Sequence, residues 1–140
     1  MKERVFVDTN IFIYAAIDDV VNADKRIRSI RLIKLPGEAI VVSTQVINEF
    51  YVILLRNGFS DQDIQERALE IIEDIQVMSI SVDTIKLAWD IRDRYKYSYW
   101  DCLIVASALE SGCSTLYTED MHDGHIIDDR LKIMNPFNKL

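Results

Sequence analysis

The segment Val5-Phe6-Val7-Asp8-Thr9-Asn10-Ile11-Phe12-Ile13-Tyr14 decides how the chain is read. Three β-branched or aromatic residues give a short strand signal that stops on an acid, and an apolar run resumes two residues later. Three similar runs follow at 39–42 (Ala-Ile-Val-Val), 77–80 (Val-Met-Ser-Ile) and 115–117 (Thr-Leu-Tyr). They are continuously apolar rather than alternating, which is the pattern of strands covered on both faces. Helical periodicity fills the intervals at 23–35, 46–55, 63–75, 84–95 and 100–109. Pro36-Gly37, Asn57-Gly58 and Gly112 punctuate these segments, and Ser60 and Asp83 are the expected N-caps. Short buried strands separated by helices imply an α/β protein, a three-layer α/β/α fold around a central, mainly parallel sheet. Ligands of such open sheets bind beyond the carboxyl ends of the strands.

Composition sets the outer limits. With 140 residues, 49% of them hydrophobic, and only 4 Gly and 2 Pro, the chain reads as one domain spanning 1–140 rather than a collagen-like or disordered sequence. Lys and Arg number 16 against 23 Asp and Glu, a formal charge of −7 that argues against electrostatic coating of nucleic acid while leaving room for a local site. No run approaches the ~20 apolar residues of a membrane span, and the start, MKERVFVDTN, has no secretory pattern, so the expectation is a cytoplasmic protein. Cys102 and Cys113 lack the CxxC pairing of a zinc site and read as reduced, packed thiols.

Acids recur where the fold rule directs attention. Asp8 ends the first strand, Glu49 lies at the edge of the stripe formed by Val46, Phe50, Ile53 and Leu54, and Asn48 is expected to point away. Asp101 precedes Ile104, Val105 and Ala108 at i+3, i+4 and i+7, which places it on the apolar face of its helix. Thr118-Glu119-Asp120 follows the 115–117 strand, with Asp123 close behind. Singly, each has an ordinary account. Asp8 or Thr9 caps a helix, Glu49 is a boundary residue, Asp101 sits at the third position of a cap begun by Ser98, and the last group is a polar turn. Jointly, four acids at strand ends and inward helix faces form a pattern that independent surface decoration seldom produces.

Carboxylates ~4 Å apart repel by roughly 4 kcal/mol at an effective dielectric near 20, so a cluster of them needs a counter-ion. A hard, all-oxygen set suits Mg²⁺ or Mn²⁺ rather than zinc. One or two such ions hold a phosphodiester oxygen, activate water and stabilise the leaving oxyanion during in-line displacement. Each ion bound adds +2, so the formal −7 becomes −5 with one and −3 with two. The sequence has no Gly-x-Ser-x-Gly elbow and no phosphate-binding Gly-rich loop.

Four tracts carry a family resemblance: VFVDTNIFIYA at the start, STQVINEFY around Glu49, SYWDCLIVASALESGCSTLYTEDM through Asp101 and Asp120, and the closing KIMNPF. Together they resemble PIN-domain nucleases of the VapC-type toxin group, across essentially the whole chain and in the same order. The resemblance implies a PIN fold, Mg²⁺- or Mn²⁺-dependent endoribonuclease activity, a homodimer and a cognate antitoxin. It implies a metal site of Asp8, Glu49, Asp101 and an acid from Thr118-Glu119-Asp120, with Asp120 at the matching position and Glu119 and Asp123 as neighbours able to substitute. Asp8 and Asp101 would be the principal ligands, Glu49 a ligand or the residue orienting water, and Asp120 the residue that completes the acidic ring or holds a second ion. Thr9, Asn10 and Thr118 would support them with hydrogen bonds.

Arg94 and Lys96, just upstream of Asp101, are the candidate contacts to RNA phosphates, ahead of Lys25, Arg28, Arg31 and Arg92. His122 and His125 stay outside the expected site. Tyr95, Tyr97, Tyr99 and Trp100 read as packing or a dimer surface, with base stacking as the lesser alternative. The competing function is a PIN-like RNA-binding or assembly module that does not cleave. A signalling receiver would want adjacent acids after the first strand, and an Asp-x-Asp phosphatase an acid where Asn10 stands.

Overall fold

The computed structural model describes residues 3–34 and 39–138. Pro36 and Gly37 therefore lie outside the described residues. The chain runs β1 (Arg4–Val7), α1 (Thr9–Ala16), α2 (Ala23–Ile33), β2 (Ala39–Ser43), α3 (Thr44–Arg56), α4 (Asp61–Asp74), β3 (Gln76–Met78), α5 (Val82–Tyr95), α6 (Tyr99–Glu110), β4 (Thr115–Tyr117), β5 (Ile126–Ile127) and β6 (Leu131–Met134). The strands form a six-stranded sheet in the order β3-β2-β1-β4-β6-β5. Every pairing is parallel except that of β5 with β6. Val5 is level with Ile40 and Thr115, and Leu116 with Ile133, so the strand centres line up in one apolar band.

The layers follow from handedness. The crossovers from β1 to β2 and from β2 to β3 step in one direction, and the crossover from β3 to β4 returns past β1. Right-handed connections then put α1 to α4 on one face of the sheet and α5 and α6 on the other. Packing agrees: α1 lies against α2 and α3, α3 against α4, and α5 against α6, which itself covers β2 and β4. The expected three-layer α/β/α arrangement is present. Strand order reverses between β1 and β4, and the crevice outside their carboxyl ends is the place where such sheets bind ligands.

Phe6, Val7, Val41, Val42, Leu116 and Ile133 are fully buried. Helix α6 is sealed almost all round, with Cys102 through Leu109 buried. An apolar stripe therefore does not single out one face of α6, and the half-buried Asp101 is set by its place in the first turn instead. Several expectations change. The cap of α5 is Ser81, whose hydroxyl and that of Thr84 form a reciprocal capping box, so Asp83 is a first-turn acid and not the cap. Ser60 does cap α4. Strand β3 ends at Met78, and β5 and β6 extend the sheet beyond the four expected strands.

Candidate active site

A cleft of about 850 Å³ opens at the carboxyl ends of β1 and β2, walled by α3 and the N-terminal part of α6. Asp8, Glu49, Asp101 and Asp120 all line it. Four acids separated by up to 112 residues of sequence thus face one space, because β1 and β4 are adjacent and both helices begin at the same edge of the sheet.

Asp8 is the deepest, only 6% exposed. It caps α1, with Oδ1 accepting from the Thr9 amide at 2.7 Å and Oδ2 accepting from the Thr118 hydroxyl at 2.8 Å. The cap and the site are one residue. Burial pushes its carboxyl up to about 7, against the lowering effect of those two bonds, and Asp120 and Glu49 add to the rise. Asp101 occupies the first turn of α6, where its amide donates to the Ser98 hydroxyl at 3.2 Å. Burial raises its carboxyl as well, with Asp120 and Glu49 contributing, although a helix N-terminus favours the ionised form.

The three expected supporting residues each bind one of these acids. Thr118 donates to Asp8, Thr9 donates to Glu49 Oε1 at 2.6 Å, and Asn10 Nδ2 donates to Asp120 Oδ2 at 3.1 Å. Thr118 also accepts from the Asp120 amide at 3.1 Å, which ties the fourth acid to the first. The neighbouring acids are engaged elsewhere. Glu119 accepts from Tyr14 and from Lys25, the latter at 2.7 Å, while Lys25 lies over the Tyr14 and Phe137 rings. Asp123 accepts from the Asn135 amide and Asn138 Nδ2, both at 2.7 Å. Asp120 is the member of this group that reaches the cleft.

Among families of known fold and activity, the PIN-domain model matches residues 5–122. The chain belongs to the PIN-domain family. No curated protein matches it in sequence. Solved structures show the same fold at low identity. A toxin–antitoxin complex from Klebsiella pneumoniae has a TM-score of 0.71 at 18% identity, covering 96% of this chain and 99% of that one. The VapC20 toxin of Mycobacterium tuberculosis, described as cleaving the sarcin–ricin loop, has 0.67 at 20%, covering 80% and 86%. VapBC2 from Rickettsia felis, bound to a DNA fragment from its promoter, has 0.60 at 16%, covering 94% and 99%.

In this PIN domain the four cleft acids form no ion pair among the described residues; the ion pairs there involve Glu119, Asp63, Asp90 and Asp128 instead. Burial raises Asp8, Asp101 and Asp120, and neighbouring carboxylates raise each further. Lys25 offsets only a small part of the rise at Asp120, and an all-oxygen set without an ion-paired cation among the described residues fits a hard divalent cation. Among the described residues no three acidic, histidine or cysteine side chains are gathered closely enough to cage an ion by themselves.

Sequence reasoning missed three side chains of the PIN cleft. Gln45 is buried, and its Nε2 donates to the Trp100 carbonyl at 3.1 Å and to Glu49 Oε2 at 3.4 Å, while Oε1 has no partner. It braces Glu49 against the residue preceding Asp101. Asn48 lines the cleft instead of pointing away, because the face of α3 toward the cleft runs through 45, 48, 49, 52, 53 and 56 and is broader than the apolar stripe suggests. Arg56 lies on that face at the end of the helix. A polar i, i+3, i+4 series starting at Gln45 was the available signal.

The expected phosphate contacts lie elsewhere. Arg94 pairs with Asp90 at 2.8 Å and Asp128 at 2.5 Å, and Lys96 is an exposed left-handed C-cap of α5 with φ 63°; neither lines the cleft. Tyr97 hydrogen-bonds His125 Nδ1 at 2.6 Å and Tyr95 packs edge-on to the same ring, so this histidine is part of an aromatic cluster. Tyr99 and Trp100 do line the cleft, with Trp100 62% exposed. Cys102 and Cys113 are free and buried, and burial pushes the Cys113 thiol up to about 12. No helix of the described residues is long and apolar enough to cross a membrane.

Proposed function

We propose that this PIN domain is a divalent-metal-dependent endoribonuclease that acts as the toxin of a toxin–antitoxin pair. The observation that carries the reading is the convergence of four carboxylates without cationic partners on one cleft at the switch point of the sheet. Family membership supports nuclease chemistry, and the solved structures of similar fold include a toxin described as cleaving an RNA loop and toxins with their antitoxins. The cation is Mg²⁺, with Mn²⁺ able to replace it, at one or two ions per site. When bound, it lowers the pKa of a water and stabilises the charge that builds on the phosphoryl oxygens during in-line displacement.

The chain's own residues do the rest. Asp8 and Asp101 are the principal ligands. Glu49, held from one side by Thr9 and from the other by Gln45, orients the attacking water and takes its proton. Asp120, fixed through Thr118 and Asn10, completes the acidic ring. The two hydrogen bonds to Asp8 favour the ionised form that a ligand must have, against the burial that raises its carboxyl to about 7. A cognate antitoxin, a homodimeric assembly and a cytoplasmic setting accompany this reading.

The test is cleavage of a structured RNA mixture by the purified protein with Mg²⁺ and with EDTA, beside folded Asp101→Ala. Metal-dependent cutting lost in the variant supports the proposal. Full cutting by Asp101→Ala, or RNA binding without cutting under every metal, rejects it in favour of another nuclease centre or a non-cleaving module.

A further inference from the structure

Resting on the ribonuclease reading, we propose that Arg56 is a substrate-binding residue that takes an RNA backbone phosphate distant from the one being cut. A cleft with four acids repels a polyanion everywhere except at the ion, so the strand needs a cation beside it. Among the described residues Arg56 is the cleft-lining side chain that carries positive charge. The other cations with named partners point elsewhere: Lys25 to Glu119, Arg67 to Asp63, Arg94 to Asp90 and Asp128. Arg56 has no partner in any ion pair of the described residues, and its side chain is exposed at the C-terminal end of α3.

Its spacing fixes which phosphate. Arg56 is seven residues beyond Glu49 on the same face of α3, about 10 Å along the axis at ~1.5 Å per residue. At a rise of roughly 3.4 Å per stacked nucleotide, that is about three nucleotides from a scissile bond held at Glu49. Val52 and Ile53 line the path between them. Arg56 therefore reads strand length on one side of the cut and carries no base information.

The test is single-turnover cleavage of a fluorescein-labelled single-stranded RNA by wild type, Arg56→Gln and Arg56→Lys in Mg²⁺, with the exposed Lys86→Gln as a control for loss of one charge. Losing one phosphate contact lowers the slope of log affinity against log salt by about 0.7 and weakens half-saturation about fivefold near 0.1 M salt. The maximal rate stays the same, because the contact is equal in ground and transition states. Arg56→Lys keeps the slope, and Lys86→Gln behaves as wild type. Trimming the RNA to fewer than about three nucleotides on one side of the cut removes the difference between wild type and Arg56→Gln. An Arg56→Gln protein that cleaves with unchanged half-saturation and slope overturns the inference, whether or not it binds an acidic protein partner less well. A wild type that does not cleave overturns the ribonuclease reading itself.

Discussion

Replacing Asp8 by Asn stabilises the protein in the absence of metal, and the gain depends on pH. The carboxyl rises from 3.8 to about 7 on folding, chiefly through burial. At about 1.4 kcal/mol per unit, that is a penalty on the order of 4 kcal/mol when Asp8 is ionised in both states. The sign follows from linkage. Below pH 3.8 the group is protonated folded and unfolded, and the penalty is absent. Between 3.8 and about 7 the folded state binds the extra proton, so stability falls as pH rises. Above about 7 the full penalty applies. Asparagine keeps an acceptor for the Thr9 amide but presents an N–H to Thr118, whose hydroxyl must turn to accept it. That rearrangement costs on the order of 1–2 kcal/mol, leaving a net gain of about 2 kcal/mol and a Tm higher by roughly 8 °C for a chain of this size. Urea denaturation followed by far-ultraviolet circular dichroism in EDTA, from pH 5 to pH 8, measures it. A gap that is largest at pH 8 and closes toward pH 5 is expected. Asp8→Asn less stable than wild type at pH 8, or a gap that does not change with pH, refutes the electrostatic account of this carboxylate.

Other predictions follow from the same geometry. Thr118→Val removes the hydroxyl shared by Asp8 and the Asp120 amide, so cleavage falls 10- to 100-fold, with a rise in the Mg²⁺ concentration needed for half-maximal rate. Gln45→Leu frees Glu49 from its brace and lowers the maximal rate by a similar factor, while Tm changes little because removing the buried, unpartnered Oε1 offsets the loss of the Nε2 bonds to Trp100 and Glu49. Lys25→Met breaks an ion pair that is partly exposed and costs about 1 kcal/mol in chemical denaturation. Glu119→Gln in the same protein restores most of that loss, since it removes the uncompensated charge. Saturating Mg²⁺ raises the Tm of wild type and not of Asp101→Ala, by linkage to the folded state.

The layers of this fold were legible because periodicity and apolar runs report burial directly. Residues 115–117 form the strand expected, and α6 begins one residue before its expected start because Ser98 supplies the cap. Strand β6 was not legible: its four residues alternate buried and exposed and follow Asp128 and Asp129, which take positive φ in a tight turn that reads simply as polar loop. Asp8 and Asp101 stand out in sequence because they interrupt apolar runs. The choice between Glu119 and Asp120 does not, because adjacent acids look alike until Tyr14 and Lys25, from two other helices, hold the first. Arg56 is a surface arginine in the sequence and becomes a cleft residue only once α3 is laid along the sheet edge. Arg94 shows the reverse: close to Asp101 in sequence, it is drawn off the cleft by Asp128, a contact no local pattern encodes.

The most direct test of the central claim is the chemistry of the RNA ends. The acids of the cleft are assigned to activating water, so single-turnover cleavage in Mg²⁺ should leave no 2′,3′-cyclic phosphate, and an RNA carrying 2′-O-methyl at the scissile nucleotide should still be cut. Cyclic phosphate ends, or cutting that persists in EDTA and vanishes on 2′-O-methylation, would contradict the account.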